Sequence, residues 1–285
     1  MHERKGALIR ALEILPGALT WTTLIGAPIL AYFLPVWISV YIIIFDLYWF
    51  LKGGNVAMHL IHSYGLLTVH DSVNWLDWLA RLSDRQQFEV FLRGQIASSQ
   101  SPRRFRRLCR DQLERLASLP ADRNFDWRRL YHLIIFPTYN EDLEILEASV
   151  RSYAAADYPK DKLLFVIAVE ARAGEPALAR AQALEQKYGS EFGLFMTTVH
   201  PDGLPGEVRG KAGNMNFACH QARQELDRRG IAYEDVIVST FDSDTIIQPN
   251  FFPYLTYTYL TEAKPERASY QPIPVYHNNI WDTPA

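Results

Sequence analysis

The hydrophobic pattern divides the chain into an N-terminal stretch without a polar face and a longer part in which apolar and polar segments alternate. From Ile14 to Phe45 no residue is charged, and the apolar stretch continues past Asp46 to Leu51. A membrane-spanning helix needs about 20 apolar residues, so this stretch is too long for one ordinary span. We predict two transmembrane helices, at 15–34 and 36–51, with a tight turn at Pro35.

A signal peptide and a buried helix pair both fit this stretch less well than two spans do. A cleavable signal peptide has an apolar region of about 7 to 15 residues, which is much shorter, and a buried helix pair would be expected to show a polar face. Arg4, Lys5 and Arg10 precede the hairpin and Lys52 follows it, whereas the turn has no positive residue. The positive-inside rule then predicts a multi-pass protein of the cell membrane, in contact with membrane lipid, whose remaining chain is on the cytoplasmic side.

Residues 55–128, which follow the hairpin segment 1–54, predict a largely helical connection. Ser72 to Leu82 places tryptophans and leucines at helical spacing, with Ser72 as candidate N-cap. An interfacial helix and a core-packed helix account for that pattern equally well. Ser101 to Arg115 carries six arginines against two acids, a basic face suited to an anionic leaflet or simply to solvent.

From residue 129 onward, short β-branched or aromatic runs alternate with helical patterns. The predicted strands are Tyr131–Phe136, Leu163–Val169, Gly193–Val199 and Val236–Phe241, and the predicted helices are Leu143–Ala155, Pro176–Tyr188 and Phe217–Arg229. Such alternation predicts an α/β fold with a largely parallel sheet. Ligands of these sheets bind at the carboxyl ends of the strands, so the residues that follow each strand are the candidates for function.

Composition narrows the possible partners. The chain has 285 residues, of which 48% are hydrophobic, and its 29 Lys+Arg against 32 Asp+Glu give a formal charge of −3. A domain that holds nucleic acid normally carries a basic excess, so we expect no nucleic-acid partner. Cys109 and Cys219 are far apart in the chain and form neither a zinc motif nor a disulfide framework.

The first predicted strand runs into Pro137, Thr138, Tyr139, Asn140 and Glu141. Small polar side chains and the free amides of a helix N-terminus suit a nucleotide or another anion. The alternative is helix capping, in which Thr138 or Asn140 caps the helix and Glu141 favours its dipole.

The last predicted strand ends in Asp242, Ser243 and Asp244. Carboxylates two residues apart in extended chain project to the same side, and hard oxygen ligands suit Mg²⁺ or Mn²⁺ shared with substrate phosphates. An ordinary polar turn after a strand is the alternative.

A glycine-bounded lysine precedes the last predicted helix, in the segment Gly210, Lys211, Ala212 and Gly213. The segment is not a P-loop, because the glycine spacing is wrong and Ala212 replaces the required Ser or Thr. A lysine in such a turn is suited to meeting a phosphate as a point charge.

Together, PTYNE after the first strand, KAGNMN midway and FDSDT after a later strand resemble the family 2 glycosyltransferases, especially membrane-bound relatives of cellulose and hyaluronan synthases. The resemblance covers about Leu130 to Asp282. It implies a GT-A fold, which is a Rossmann-like nucleotide-sugar domain, at 129–285, a UDP-sugar or another nucleotide-diphosphate sugar as donor, and Mg²⁺ or Mn²⁺ as cofactor.

The resemblance also implies roles for individual residues. Thr138, Tyr139 and Glu141 would line the nucleotide pocket, and Glu170 would contact the base or ribose. Lys211 would meet the diphosphate. Asp242 would lie near the ribose and metal, and Asp244 would be the main metal ligand.

The acceptor half of the family pattern is not visible. Neither the ED or TED motif of the general base nor a QxxRW motif follows Asp244, and Asp282, the last acid, lacks the expected neighbours. We therefore assign no catalytic base, and the domain looks truncated at its C-terminal end. The expected function is inverting transfer of a sugar to a glycan or lipid-linked glycan, with membrane partner subunits as an option. A non-catalytic nucleotide-sugar binding or assembly module and a nucleotidyltransferase are the alternatives.

Overall fold

The computed structural model describes residues 7–204, 207 and 210–272. The chain divides into two compact units, with the boundary between Leu67 and Thr68. Arg4 and Lys5, on which the predicted orientation in the membrane partly depends, lie outside the described residues, as does Asp282.

The first unit contains two long apolar helices, α1 (Ala7–Phe33) and most of α2 (Pro35–Asp71). Only Leu34 separates them, and Pro35 opens α2, where its missing N–H removes no helical hydrogen bond. Both helices are long and apolar enough to cross a membrane. The helix α2 continues 20 residues beyond Leu51, the predicted end of the second span, because the glycine pair that follows Lys52 lowers helix propensity without breaking the backbone ladder as a proline would.

The second unit alternates helices and strands, as the sequence predicts for an α/β fold. Three helices come first: α3 (Trp75–Leu82), α4 (Arg85–Ala97) and α5 (Arg103–Ala117). The strands are β1 (Tyr131–Thr138), β2 (Leu163–Glu170), β3 (Leu194–His200) and β4 (Val236–Thr240), and the remaining α-helices of the described residues are α6 (Leu143–Ala154), α7 (Gly174–Tyr188), α8 (Lys211–Arg229) and α9 (Phe251–Leu260).

These four strands form one parallel sheet in the order β3-β2-β1-β4. β1 and β2 are almost completely buried, which is typical of parallel strands covered on both faces. On one face, the rings of Phe136, Tyr153 and Phe165 pack within 6 Å of one another. On the other face, Ala218 and Ala222 of α8 pack against β1 and β2.

The helix α3 is a core helix. Trp75 is 1% exposed, and Leu79 and Leu82 are completely buried, so of the two interpretations left open by the sequence, core packing is the one found. The predicted cap Ser72 is wrong. Asn74 caps α3 instead, and its side chain accepts a hydrogen bond of 2.9 Å from the Asp77 amide.

The helix α8 begins at Lys211, six residues before the predicted start at Phe217. Glycine and asparagine residues in its first turns have low helix propensity, which explains the late prediction. The buried side chain of Asn214 donates a 2.8 Å hydrogen bond to the carbonyl of Ala168 in β2. This contact with the sheet stabilises the first turns of α8 and overrides the propensity.

Candidate functional site

The four strands run parallel, so their carboxyl ends meet at one edge of the sheet. Thr138 ends β1, Glu170 ends β2 and His200 ends β3, and the pairing register sets Glu170 directly beside His200. Asp242 and Asp244 lie in the turn that follows β4. The fold therefore brings together at a common edge the strand ends that carry the sequence motifs.

Glu141 joins the loop after β1 to the turn after β4. Its carboxylate accepts a 2.7 Å hydrogen bond from the backbone amide of Tyr139 and a 2.9 Å hydrogen bond from the hydroxyl of Ser243. Thr138 is buried, whereas Tyr139 is exposed. Helix α6 begins at Leu143 with Asp142 at its N-cap and no side-chain capping bond, so capping by Thr138 or Asn140 is not what the structure contains.

The turn after β4 presents both aspartates to solvent. It is closed by a 3.0 Å hydrogen bond from the Thr245 amide to the Asp242 carbonyl. Ser149 of α6 donates to the Ser243 carbonyl at 3.0 Å, and Tyr153 donates to the Thr245 carbonyl at 3.0 Å. The backbone of the turn is therefore tied to a buried helix face while its two carboxylates remain accessible to a ligand.

Lys211 forms an ion pair with Asp242. The lysine is the first residue of α8 and follows Gly210, whose φ of 151° is a conformation that side-chain-bearing residues rarely adopt. Both side chains are well exposed, at 49% for Lys211 and 72% for Asp242. An exposed pair contributes little to stability, so the lysine can exchange this carboxylate for another anion at small cost.

Glu170 lies at the opposite side of the same edge and is buried. It pairs with Arg172, whose guanidinium lies 4.7 Å from the ring centre of the exposed Tyr139. The hydrogen bond to Glu170 raises the pKa of Arg172 above its ordinary value. The glutamate predicted to contact the base and the tyrosine predicted to line the nucleotide pocket are thus connected through one arginine.

A small cleft of about 100 Å³ lies beside this cluster. Glu170, Arg172 and His200 line it, together with Asp202 and Glu207 of the following loop. The Nε2 atom of His200 lies 3.0 Å from the Glu207 carboxylate. Arg172 joins this cleft to Tyr139, because the arginine lines the cleft and lies over the tyrosine ring.

The contacts form a continuous series across the edge. Arg172 links Glu170 to Tyr139, Glu141 links the Tyr139 amide to Ser243, and Asp242 next to Ser243 pairs with Lys211. All the predicted site residues except Thr138 and Asp244 take part in it directly. Thr138 precedes Tyr139 in the chain, and Asp244 follows Ser243.

Arg172, Ser149 and Tyr153 were not predicted from the sequence, and neither were His200, Asp202 and Glu207 of the small cleft. A signal for two of them exists, because Ser149 and Tyr153 fall on the same helical face as Leu146 and Val150 and are buried with them. Polar groups on the buried face of a helix need partners. Burial and the nearby Asp244 and Asp242 raise the pKa of Tyr153 well above its ordinary value, which keeps its hydroxyl a neutral donor.

The donor chemistry of the turn suits a hard divalent cation. Among the described residues no group of three or more His, Cys, Asp or Glu side chains forms a metal cage. Mg²⁺ does not require one, since it commonly keeps several waters and is held by one or two carboxylates together with substrate phosphates. Asp242 and Asp244, both exposed and two residues apart, fit that kind of site.

A larger cleft of about 900 Å³ runs along the outer side of β4. Its lining comes mainly from β4 and α9 and includes Val238, Tyr254 and Tyr259, but none of the predicted site residues.

Comparison of the chain with protein-family models and with curated proteins gave no match. The candidate site therefore rests on its own geometry and on the motifs that form it.

Proposed function

We propose that this protein is a membrane-anchored glycosyltransferase of the family 2 type, with a GT-A domain, that transfers a sugar from a UDP-sugar to a glycan or lipid-linked acceptor with inversion. The observation that carries the proposal is the pairing of Lys211 with Asp242 across the edge where the strands end. A lysine that can bind phosphate, placed beside two aspartates that can hold a metal ion, is the arrangement that a nucleoside diphosphate and its metal require.

The proposal assigns each residue a role that its surroundings support. The exposed ring of Tyr139 offers a face to the nucleobase, and the carboxylate of Glu170 accepts hydrogen bonds from base or ribose. Lys211 exchanges Asp242 for the diphosphate. Asp242 and Asp244 would hold Mg²⁺ or Mn²⁺, which, when bound with the donor, neutralises charge on the departing nucleoside diphosphate.

The anchor in this proposal is the pair α1 and α2, which makes the protein a multi-pass component of the cell membrane. This assignment is supported by exposure, because no residue in the most apolar part of either helix is buried within the protein. α2 has 37 residues, whereas about 20 cross the hydrocarbon, so its polar end would continue into the cytoplasm. Arg10 before the hairpin and Lys52 after it favour the cytoplasmic side for the sheet.

Calorimetry on the full chain in detergent tests the site. UDP is titrated in the presence of Mn²⁺ into the wild type, Asp242→Asn and Asp244→Asn, with Asp111→Asn as control because Asp111 is exposed on α5. The proposal predicts that both aspartate variants, Asp242→Asn and Asp244→Asn, lose Mn²⁺-dependent UDP binding while the control retains it. Wild-type binding in both aspartate variants would show that the site is elsewhere.

Product analysis tests the reaction class. Incubation with a panel of UDP-sugars should release UDP and pass the sugar to an acceptor or to water. An acceptor that carries the nucleoside with its α-phosphate, together with released sugar 1-phosphate, would instead identify nucleotidyl transfer. Tight binding of donor without any turnover would identify a binding module.

A further inference from the structure

The turn that carries Asp242 and Asp244 is held by the buried face of α6. Ser149, which is completely buried, donates to the carbonyl of Ser243 at 3.0 Å. Tyr153, also completely buried, donates to the carbonyl of Thr245 at 3.0 Å. Slightly further along, the amide of Ile247 donates to the hydroxyl of Ser152 at 3.1 Å.

These hydrogen bonds act on peptide groups on both sides of Asp244. The Ser243 carbonyl belongs to the peptide that leads into Asp244, and the Thr245 carbonyl belongs to the peptide that follows Thr245. Fixing both restricts the backbone angles that set the direction of the Asp244 side chain. The hydroxyl of Ser243 is fixed as well, through its hydrogen bond to Glu141.

The α6 side of these contacts is rigid. The ring of Tyr153 packs against Phe136, Phe165 and Phe241 with centroid distances of 5.9, 5.8 and 5.2 Å. A side chain held on several sides by aromatic neighbours has little freedom to follow a moving turn. The turn is therefore anchored to the core of the sheet as well as to Glu141 of the loop after β1.

We propose that Ser149 and Tyr153 are positioning residues that hold the Asp242–Asp244 turn in the geometry that binds the divalent cation. This inference rests on the proposed function, because it assigns the metal to that turn. In this proposal neither residue contacts the metal. They act by preorganisation: a turn already fixed in the binding geometry loses less conformational freedom when the metal binds.

The test compares two tyrosines that differ in where their hydroxyl points. Tyr153→Phe removes the hydrogen bond to the turn. Tyr158→Phe removes a 3.3 Å hydrogen bond to the Leu130 carbonyl and a 3.3 Å hydrogen bond from the Thr256 hydroxyl, both away from the turn. Both residues are buried and both substitutions keep the ring. Ser149→Ala removes the other hydrogen bond from α6 to the turn. Tyr153→Phe and Ser149→Ala are called the two turn variants below. Mn²⁺ affinity is measured on the full chain in detergent by electron paramagnetic resonance, at a temperature where every variant is folded.

The inference predicts that Tyr153→Phe and Ser149→Ala each weaken Mn²⁺ binding on the order of fivefold, the effect of about one lost hydrogen bond. Tyr158→Phe should bind Mn²⁺ as the wild type does. Hydrogen exchange of the Thr245 and Ile247 amides should rise in the two turn variants alone. These readouts separate positioning from general stability, since a merely structural role would lower the melting temperature of both tyrosine variants and leave the Mn²⁺ affinity unchanged.

Three outcomes decide the matter. Wild-type Mn²⁺ affinity in both turn variants, or an equal loss in Tyr158→Phe, would overturn the positioning role while leaving the proposed function intact. A wild type that binds neither Mn²⁺ nor UDP would overturn the proposed function and the positioning role with it. Selective weakening in the two turn variants supports both.

Discussion

The two units of the chain use the same kinds of apolar side chain in opposite ways. In α2, Trp37 is 72% exposed, whereas Trp75 of α3 is 1% exposed. Both tryptophans lie in strongly hydrophobic segments of the sequence. The difference is the surroundings: the segment of Trp37 has no polar face, whereas Trp75 lies on the apolar side of an amphipathic helix. Hydrophobicity alone does not locate a side chain, but its periodicity does.

The contrast between the two tryptophans fits the proposal that each unit has a different solvent. The second unit removes its large apolar side chains from water by packing them around the sheet. The first unit leaves its leucines, isoleucines and aromatics on the helix surfaces, as a bilayer requires and water disfavours. Substitutions in each unit, together with a change of pH, test that difference.

The largest effect is expected from an aromatic in the core of the second unit. Phe165 of β2 is completely buried and contacts Phe136, Tyr153, Phe192 and Phe195. Phe165→Ala should lower the free energy of unfolding of that unit by about 3 to 5 kcal/mol, measured by denaturant titration in detergent. Phe50→Ala in α2 is the matched control and should leave this transition unchanged, because Phe50 is exposed.

A charge placed in the apolar part of α2 should have the next largest effect. Ile43→Lys is expected to oppose membrane insertion by about 2.5 to 3.5 kcal/mol, which would lower the fraction that stays with membranes after alkaline extraction. Val90→Lys adds the same charge to an exposed apolar position of α4 and should change nothing. Equal membrane retention of the wild type and both variants would mean that α2 does not cross the bilayer.

The smallest of the three effects concerns pH and the sheet core. Burial lowers the pKa of His132 in β1 from 6.5 to about 3. Since the folded pKa lies below the unfolded one, this residue contributes full stability above pH 6.5 and loses it progressively as the pH falls toward 3. Between pH 7.5 and 5.0 the free energy of unfolding of the wild type should fall by about 2 kcal/mol more than that of His132→Gln does. An identical pH dependence in the two proteins would contradict the low pKa of His132.

The strands are well predicted from the sequence, and their spatial order is not. β1, β2, β3 and β4 all begin and end within two residues of their predicted limits, because buried parallel strands form continuous apolar runs. That β4 pairs with β1 rather than with β3 depends on contacts between distant segments. Local periodicity carries no information about such pairing.

The candidate site likewise has features that the local sequence predicts and features that depend on contacts between distant segments. The motifs at the strand ends are visible in the sequence, and the parallel sheet explains why they meet. The hydrogen bonds from Ser149 and Tyr153 to the turn join residues more than 90 positions apart, so they form only once the sheet is assembled. The early start of α8 is similar, since its first turn is stabilised by the contact of Asn214 with β2.

The most direct test of the central claim is the dependence of UDP affinity on the divalent cation. UDP is titrated calorimetrically into the full wild-type chain, once with Mn²⁺ and once with EDTA. The account predicts measurable binding with Mn²⁺ that weakens by about tenfold or more, which is at least about 1.4 kcal/mol, when the metal is removed. UDP binding of equal affinity under both conditions, or no binding under either, would contradict it.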